Sequence, residues 1–222
     1  MTAIDHGSID YKSEILRKLI HLFSLSIPVI YYFITKELAL TILVPLTLFS
    51  LFLDLGRHFI PALKNFFDRT FGFMMREHEK DDKKKNLSGA TYVLISATVG
   101  IIIFPKIFFI TAFAVLILSD IAAALVGRKY GKHKFLAKSL EGTLAFFVMG
   151  CIVVLLTPKI KYDITEYLIG FIAVAVGAIA ENISYGWADD NFMIPLSVGF
   201  TLWLLYYLFL PGYNLVLANV PV

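Results

Sequence analysis

Ser119-Asp120-Ile121-Ala122-Ala123-Ala124-Leu125-Val126-Gly127-Arg128-Lys129-Tyr130-Gly131-Lys132-His133-Lys134-Phe135-Leu136-Ala137-Lys138-Ser139-Leu140-Glu141-Gly142 is the stretch on which the reading of this chain turns. A long apolar run, 107–126, ends there in an acid, two glycines and five cations, and a second apolar run, 140–157, begins at once. Asp120, Gly127 and Gly131 are spaced by seven and then four residues, which puts them on one face of a helix running into the loop. A carboxylate beside a basic loop relieved by glycines has the parts to hold a metal–nucleotide.

Working outward, apolar runs near the length of about 20 residues that crosses a bilayer recur along the whole chain. Seven are legible, at 15–34, 38–55, 87–104, 107–126, 140–157, 167–183 and 192–210. The chain of 222 residues is 58% hydrophobic, with mean hydropathy +0.76, more apolar than a soluble domain of this size needs. The expected fold is therefore all-α: a polytopic integral membrane protein of about seven transmembrane helices, forming one domain over 1–222. No small-x-small cleavage site follows the first run, only Ile30-Tyr31-Tyr32-Phe33, so it reads as a permanent span. The single cysteine, Cys151, lies in an apolar run and cannot form an internal disulfide.

Lysine and arginine divide by loop. Sixteen of the twenty fall before the first span and in the second and fourth connections; the rest are Lys36, Lys106, Lys159 and Lys161. The positive-inside rule then places the N-terminus in the cytoplasm and the C-terminus outside, in the plasma membrane if the source is prokaryotic. The one long connection, 57–86, carries Phe59, Leu63, Phe66, Phe67, Phe71 and Met74 at helical spacing, with Lys64, Arg69 and Arg76 among them. That pattern predicts an interfacial amphipathic helix. Glu77 to Lys85 is a charge run and reads as a solvated turn. Pro28 and Pro45 predict kinks inside spans. Gly170, Ala173, Ala175, Gly177, Ala178 and Ala180 predict close helix packing in the sixth span.

Ionisable groups at membrane depth are costly, so each is a functional candidate. Arg17, Lys18 and His21 open the first span, Asp54 closes the second, and Ser88 and Gly89 open the third. Asp120 closes the fourth, Lys138, Ser139 and Glu141 open the fifth, Glu181 closes the sixth, and Asp189, Asp190 and Asn191 lead into the seventh. All lie at the end of the helix assigned to the cytoplasm, with no comparable set expected at the opposite ends. One-sided clustering argues for an enzyme at the cytoplasmic interface and against a transporter of an anionic lipid, which needs polar groups near the midplane.

Duller readings stand beside these. Arg17 and Lys18 also read as snorkelling anchors, Asp54 pairs locally with Arg57 or His58, and Glu141 with Lys138. Gly127 and Gly131 also read as a helix-packing motif. Asp120 has only alanines at i+3 and i+4, so its partner has to come from elsewhere in the chain. Chemically the set suits phosphoryl or nucleotidyl transfer. Asp120, Glu141, Glu181 and Asp190 could supply the one or two carboxylates that Mg²⁺ or another divalent cation takes beside substrate phosphates. The helix start at 139–142 offers backbone N–H groups to phosphate, and the cations would offset charge on the transferring group. No Walker loop or GxGxxG occurs, and no nucleic-acid partner is expected.

Taken in order, Arg17-Lys18-x-x-His21, Gly89-Ala90-Thr91-Tyr92, Asp120-x-x-Ala123-x-x-x-Gly127-x-x-x-Gly131, Lys138-Ser139-x-Glu141-Gly142, Glu181 and Asp190-Asn191-x-x-x-Pro195 resemble the CTP-dependent lipid kinases. That family includes dolichol kinase, phytol kinase and the fungal diacylglycerol kinase, and it is related to the phosphatidate cytidylyltransferases. The resemblance implies transfer of the γ-phosphate of CTP to a membrane lipid alcohol, with the lipid and CTP as partners. It implies that Arg17, Lys18, Asp120 and Gly127 are needed for activity, and that 127–142 binds CTP. The nucleotide-binding candidates are thus Gly127, Arg128, Gly131, Lys132, Lys134, Lys138, Ser139, Gly142 and Asn191; the catalytic candidates are Asp120, Glu141, Arg17, Lys18 and His21. The chain is far shorter than dolichol kinase, which disfavours dolichol as acceptor. It lacks the cytidylyltransferase signature, which makes synthesis of CDP-diacylglycerol the second choice.

Overall fold

The computed structural model describes residues 10–72, 75, 86–184 and 189–222. Among the described residues nine helices stand in chain order: α1 (Tyr11–Phe23), α2 (Ser26–Phe33), α3 (Lys36–Gly56), α4 (Pro61–Thr70), α5 (Gly89–Ile103), α6 (Lys106–Tyr130), α7 (Leu140–Leu156), α8 (Ile164–Ile183) and α9 (Asp190–Phe209). Five segments of the described residues are long and apolar enough to cross a membrane, namely Tyr11–Phe33, α3, α6, α8 and α9. The runs expected at 87–104 and 140–157 form α5 and α7, which are apolar but shorter.

Side-chain oxygens fix most of the helix starts. Thr35, Ser88, Ser139, Asp163 and Asp189 each accept a backbone N–H from the first turn of the helix they precede. The first apolar run is not one helix. Pro28 supplies no N–H to the Ser24 carbonyl, and the chain tightens there, with Ser24 and Leu25 donating to the carbonyls of His21 and Leu22. The kink expected at Pro28 is therefore a break one turn earlier. Pro45 lies within the unbroken run of α3.

Helix α6 is the axis. Its buried face includes Phe108, Phe109 and Phe113, and it packs against α7, α9, α2 and α1, while α8 pairs with α9 and α3 with α5. The small residues of α8 permit that packing: a Cβ on Gly170 would stand 2.5 Å from Val154, and one on Gly177 2.6 Å from Val198. Helix α4, where the amphipathic helix was expected, has no fully buried residue and begins with Pro61 in its first turn. Met74, Arg76 and the run Glu77 to Lys85 lie outside the described residues.

The structure departs from the sequence reading at two places. The chain is not purely helical, because β1 (Lys134–Phe135) and β2 (Lys138–Ser139) pair antiparallel, Lys134 opposite Ser139. The turn between them holds Leu136 at φ 51°, and the Asn182 Oδ1 accepts the N–H groups of Ala137 and Lys138 to fix it. The ends opposite the candidate site are also not bare. Glu166, fully buried, accepts hydrogen bonds from the N–H groups of Ile160 and Lys161 and from the Tyr206 hydroxyl. Lys159 is buried nearby, donating to the carbonyls of Val154 and Thr157. Burial pushes its ammonium down to about 8, against the opposing pull of Glu166. All of these partners are internal, so the set ties the connection before α8 to α9.

Candidate functional site

Helix α1 lays four charged or titratable side chains along the C-terminal part of α6. The Lys18 ammonium is ion-paired with the Asp120 carboxylate, both almost fully buried. The partner that Asp120 lacked locally is thus supplied from 102 residues away. His21 Nε2 lies 3.6 Å from the same carboxylate. Glu14 accepts from Arg17 at 2.8 Å and from Arg128 at 3.1 Å, and stands 4.0 Å from Lys18. Lys18 is only 4% exposed, so it does not snorkel. A buried pair of this kind is costly to break from one side, because the remaining charge is stranded.

A second cluster adjoins the first. Lys138, half-buried on β2, is ion-paired with Glu181 at the end of α8 and lies 4.0 Å from Asp190 at the start of α9. Burial opposes its charge, but Glu181 and Asp190 together hold its pKa above the ordinary lysine value, with Asp120 adding to the same field. Asn182 keeps the hairpin in place, its Nδ2 donating to the Thr143 hydroxyl while its Oδ1 caps the turn. Asp189 anchors Asn191 through both the backbone N–H and the side-chain amide. Lys132 and Lys134 are exposed on the hairpin.

Other candidates are placed differently from the expectation. The Glu141 carboxylate accepts from the N–H groups of Lys132 and His133 and pairs with the His133 ring at 2.7 Å. It thus braces the hairpin instead of pairing with Lys138. The four carboxylates do not form one centre, and among the described residues no three His, Cys, Asp or Glu side chains are placed to hold a metal together. Two N–H groups of the helix start at 139–142 are used internally, Leu140 donating to the His133 carbonyl and Gly142 to Ser139 Oγ. The three glycines have a packing cause: a Cβ on Gly142 would lie 3.1 Å from the Ala123 carbonyl and 3.2 Å from Gly127 Cα, and one on Gly131 would strike Ser139 at 2.8 Å. They let α6, β2 and α7 meet backbone to backbone.

Beside the first cluster lies a cavity of about 350 Å³. Its charged end is Arg17, Lys18, His21 and Asp120, with Asn191; its apolar wall is Ile20, Leu53, Phe67, Phe71, Met75 and Val93. Asp54 pairs with Arg57 at 2.7 Å, as its local reading expects, and also accepts the Ser88 N–H at 2.6 Å. Arg57 donates to the Asn86 carbonyl and sits over the Phe67 ring, so the end of α3 holds α4 against the cavity. Glu14 and Asn182 were not singled out in the sequence, and Arg57 was named there only as a local partner for Asp54. Asn182 alone left a signal, a lone amide in the last turn of an apolar helix.

The chain is 31% identical over 171 residues to CTP-dependent diacylglycerol kinase 1 of Schizosaccharomyces pombe, covering 68% of this chain and 74% of the yeast protein. It is 30% identical over 189 residues to an uncharacterized protein of Rickettsia prowazekii, covering 85% and 92% of the two. An uncharacterized protein of Methanocaldococcus jannaschii is 28% identical over 194 residues, covering 84% and 91%. No family model and no solved structure matches the chain. The yeast relative fixes the kinship: this chain belongs to the family of the CTP-dependent diacylglycerol kinase.

Proposed function

We propose that this protein is a CTP-dependent lipid kinase, one membrane domain over residues 1–222 that transfers the γ-phosphate of CTP to the hydroxyl of a membrane lipid alcohol at the cytoplasmic face. In this reading α5 and α7 also cross the bilayer, giving seven spans with the N-terminus inside. The observation that carries the proposal is the buried Lys18–Asp120 pair at the charged end of an apolar cavity. A polar centre opening onto an apolar space suits a reaction between a water-soluble and a membrane-soluble substrate. Kinship to the yeast kinase supports CTP as donor and a lipid alcohol as acceptor.

In this reading Lys18 and Arg17 offset charge on the transferring phosphate, and Asp120 holds Lys18 in place for that task. Lys132, Lys134, Lys138 and Arg128 hold the rest of the triphosphate, with Ser139 and Asn191 shaping its surroundings. A divalent cation such as Mg²⁺ would neutralise and orient the phosphates when bound. The residues present fit one in part: Glu181 pairs with Lys138, Asp190 lies 4.0 Å from the same ammonium, and two carboxylates are what Mg²⁺ takes when phosphates complete its shell. Asp120 could join them only by giving up Lys18, and Glu141 is committed to the hairpin.

The test is purified, reconstituted protein given CTP or ATP labelled in the γ-phosphate, with diacylglycerol, phytol and polyprenol as acceptors. Label on a lipid from CTP is expected. Release of pyrophosphate with a CDP-lipid would replace this reading with a cytidylyltransferase, and no transfer from CTP to any alcohol would overturn it.

A further inference from the structure

The hairpin between α6 and α7 carries a leucine where the backbone favours a glycine or an asparagine. Lys134 pairs with Ser139 and Phe135 with Lys138, which leaves Leu136 and Ala137 as the turn. Leu136 stands at φ 51°, a left-handed conformation that crowds the Cβ of an ordinary residue. The rest of the protein gives little in return, since the residue is 53% exposed. Nor is the turn loose. Ala137 and Lys138 donate to Asn182 Oδ1 at 2.9 and 3.2 Å, and the fully buried Asn182 is itself held by Thr143. At the base of the hairpin, Glu141 accepts the N–H groups of Lys132 and His133. The fold thus holds a leucine outward, firmly and at a conformational cost.

The place of the turn says what it meets. Asn182 lies in the last turn of α8, whose 20 residues rise about 30 Å, roughly the thickness of a hydrocarbon core. Leu168, Ile172, Val176, Ile179 and Ile183 are exposed at helical spacing along α8, an apolar stripe suited to acyl chains that ends one residue past Asn182. The turn therefore hangs at the depth where hydrocarbon gives way to headgroups. Charge points the same way. From Ile121 to Leu140 the chain holds five lysines and arginines and no acid, and Lys132 and Lys134, just before the tip, are exposed. An apolar tip among cations is the composition of a segment that enters an anionic membrane surface.

We propose that the β1–β2 hairpin is a membrane wedge whose partner is the anionic surface of the host bilayer. Leu136 enters the acyl region of the leaflet on the side of the candidate site, and its transfer out of water offsets the cost of its backbone. Before a nucleotide arrives, the phosphates of anionic lipids are the counter-charge of Lys132 and Lys134. Lys138, two residues past Leu136, is thereby kept at a fixed depth. The inference goes beyond the kinase reading and stands apart from it, since it requires only that α8 cross the bilayer.

The whole chain with Cys151→Ala, which removes its single cysteine, is given Leu136→Cys, spin-labelled and placed in phosphatidylglycerol nanodiscs without nucleotide. Power-saturation EPR compares collisions with oxygen, which concentrates in the bilayer, and with a water-soluble nickel chelate. Labels at Ile172→Cys and Lys132→Cys mark bilayer and water. The Leu136 label is expected to follow Ile172, with oxygen dominant; a label as open to nickel as that at Lys132 would overturn the proposal. Leu136→Asn then separates a wedge from a turn held by the protein alone. Asparagine suits the left-handed position, so a turn held only from within should resist trypsin at Lys132 and Lys134 as well as before, or better. A wedge that has lost its leucine should be cut about tenfold faster in the same nanodiscs. Cutting of the variant no faster than wild type would also overturn the proposal. Neither readout uses turnover, so a protein without kinase activity leaves the wedge standing, and a tip in water leaves the kinase reading standing.

Discussion

Removing the Lys18 ammonium tests whether the centre is a buried ion pair in solution. Lys18→Met keeps an unbranched stem and leaves Asp120, 2% exposed, as an uncompensated charge. Stranding one member of a buried pair costs about 3–5 kcal/mol. At roughly 2–4 °C per kcal/mol for a chain of this size, the melting temperature should fall by roughly 6–20 °C. Arg17 and Arg128 offer little relief, since Glu14 already holds both. Adding Asp120→Leu to Lys18→Met removes the stranded charge, and most of the lost stability should return while activity stays absent. The assay is thermal unfolding of purified protein in detergent, followed by intrinsic fluorescence for wild type, both single variants and the double variant. A Lys18→Met variant melting within about 2 °C of wild type, or a double variant no more stable than the single one, would refute the pairing.

Three further outcomes are expected. Gly142→Val forces a branched side chain against the Ala123 carbonyl and Gly127, so it should lower stability by about 1–3 kcal/mol and leave KM for CTP unchanged in the folded fraction; a stable variant that has lost CTP affinity would restore these glycines as a phosphate cradle. Glu166→Gln removes the charge from three hydrogen bonds at the far end, and should cost about 1.5–3 kcal/mol in unfolding without changing kcat/KM; loss of turnover at unchanged stability would contradict its structural role. Lys159 is held at about 8 when folded against an ordinary 10.5, so the unfolded chain binds more protons between those values and stability should rise with pH across that window. Lys159→Met should flatten the rise in melting curves taken from pH 8 to 10.5.

The apolar helices were legible because each is a local apolar run, and they follow the expected bounds to within a few residues, although only five of the segments are long enough to cross a membrane. The break at Ser24 was signalled only by Pro28, four residues on, since a missing N–H acts one turn upstream. At the site, Asp120 was recognisable as an acid without local support, but nothing local named Lys18 as its partner. Glu14 was missed because an acid three residues before Arg17 reads as an ordinary surface pair, until α6 covers it and brings Arg128 to its other oxygen. Glu141 and the three glycines were legible as a motif but not as a geometry. Their positions depend on a hairpin whose turn is fixed by Asn182, 45 residues further along.

The shortness of α5 and α7 bears on the membrane itself. Fifteen and 17 residues rise about 22 and 25 Å, less than the roughly 30 Å of a typical hydrocarbon core. Read as crossing helices, they leave a mismatch that the bilayer absorbs by thinning around them. The protein then sits in a dimple of its own making, with the headgroup plane drawn down toward Ser88 and Ser139. Water and acyl chains are separated there by less than their usual distance, which shortens the path that the proposed transfer from nucleotide to lipid has to bridge. The thickness of the host membrane becomes part of the environment of the Lys18–Asp120 pair.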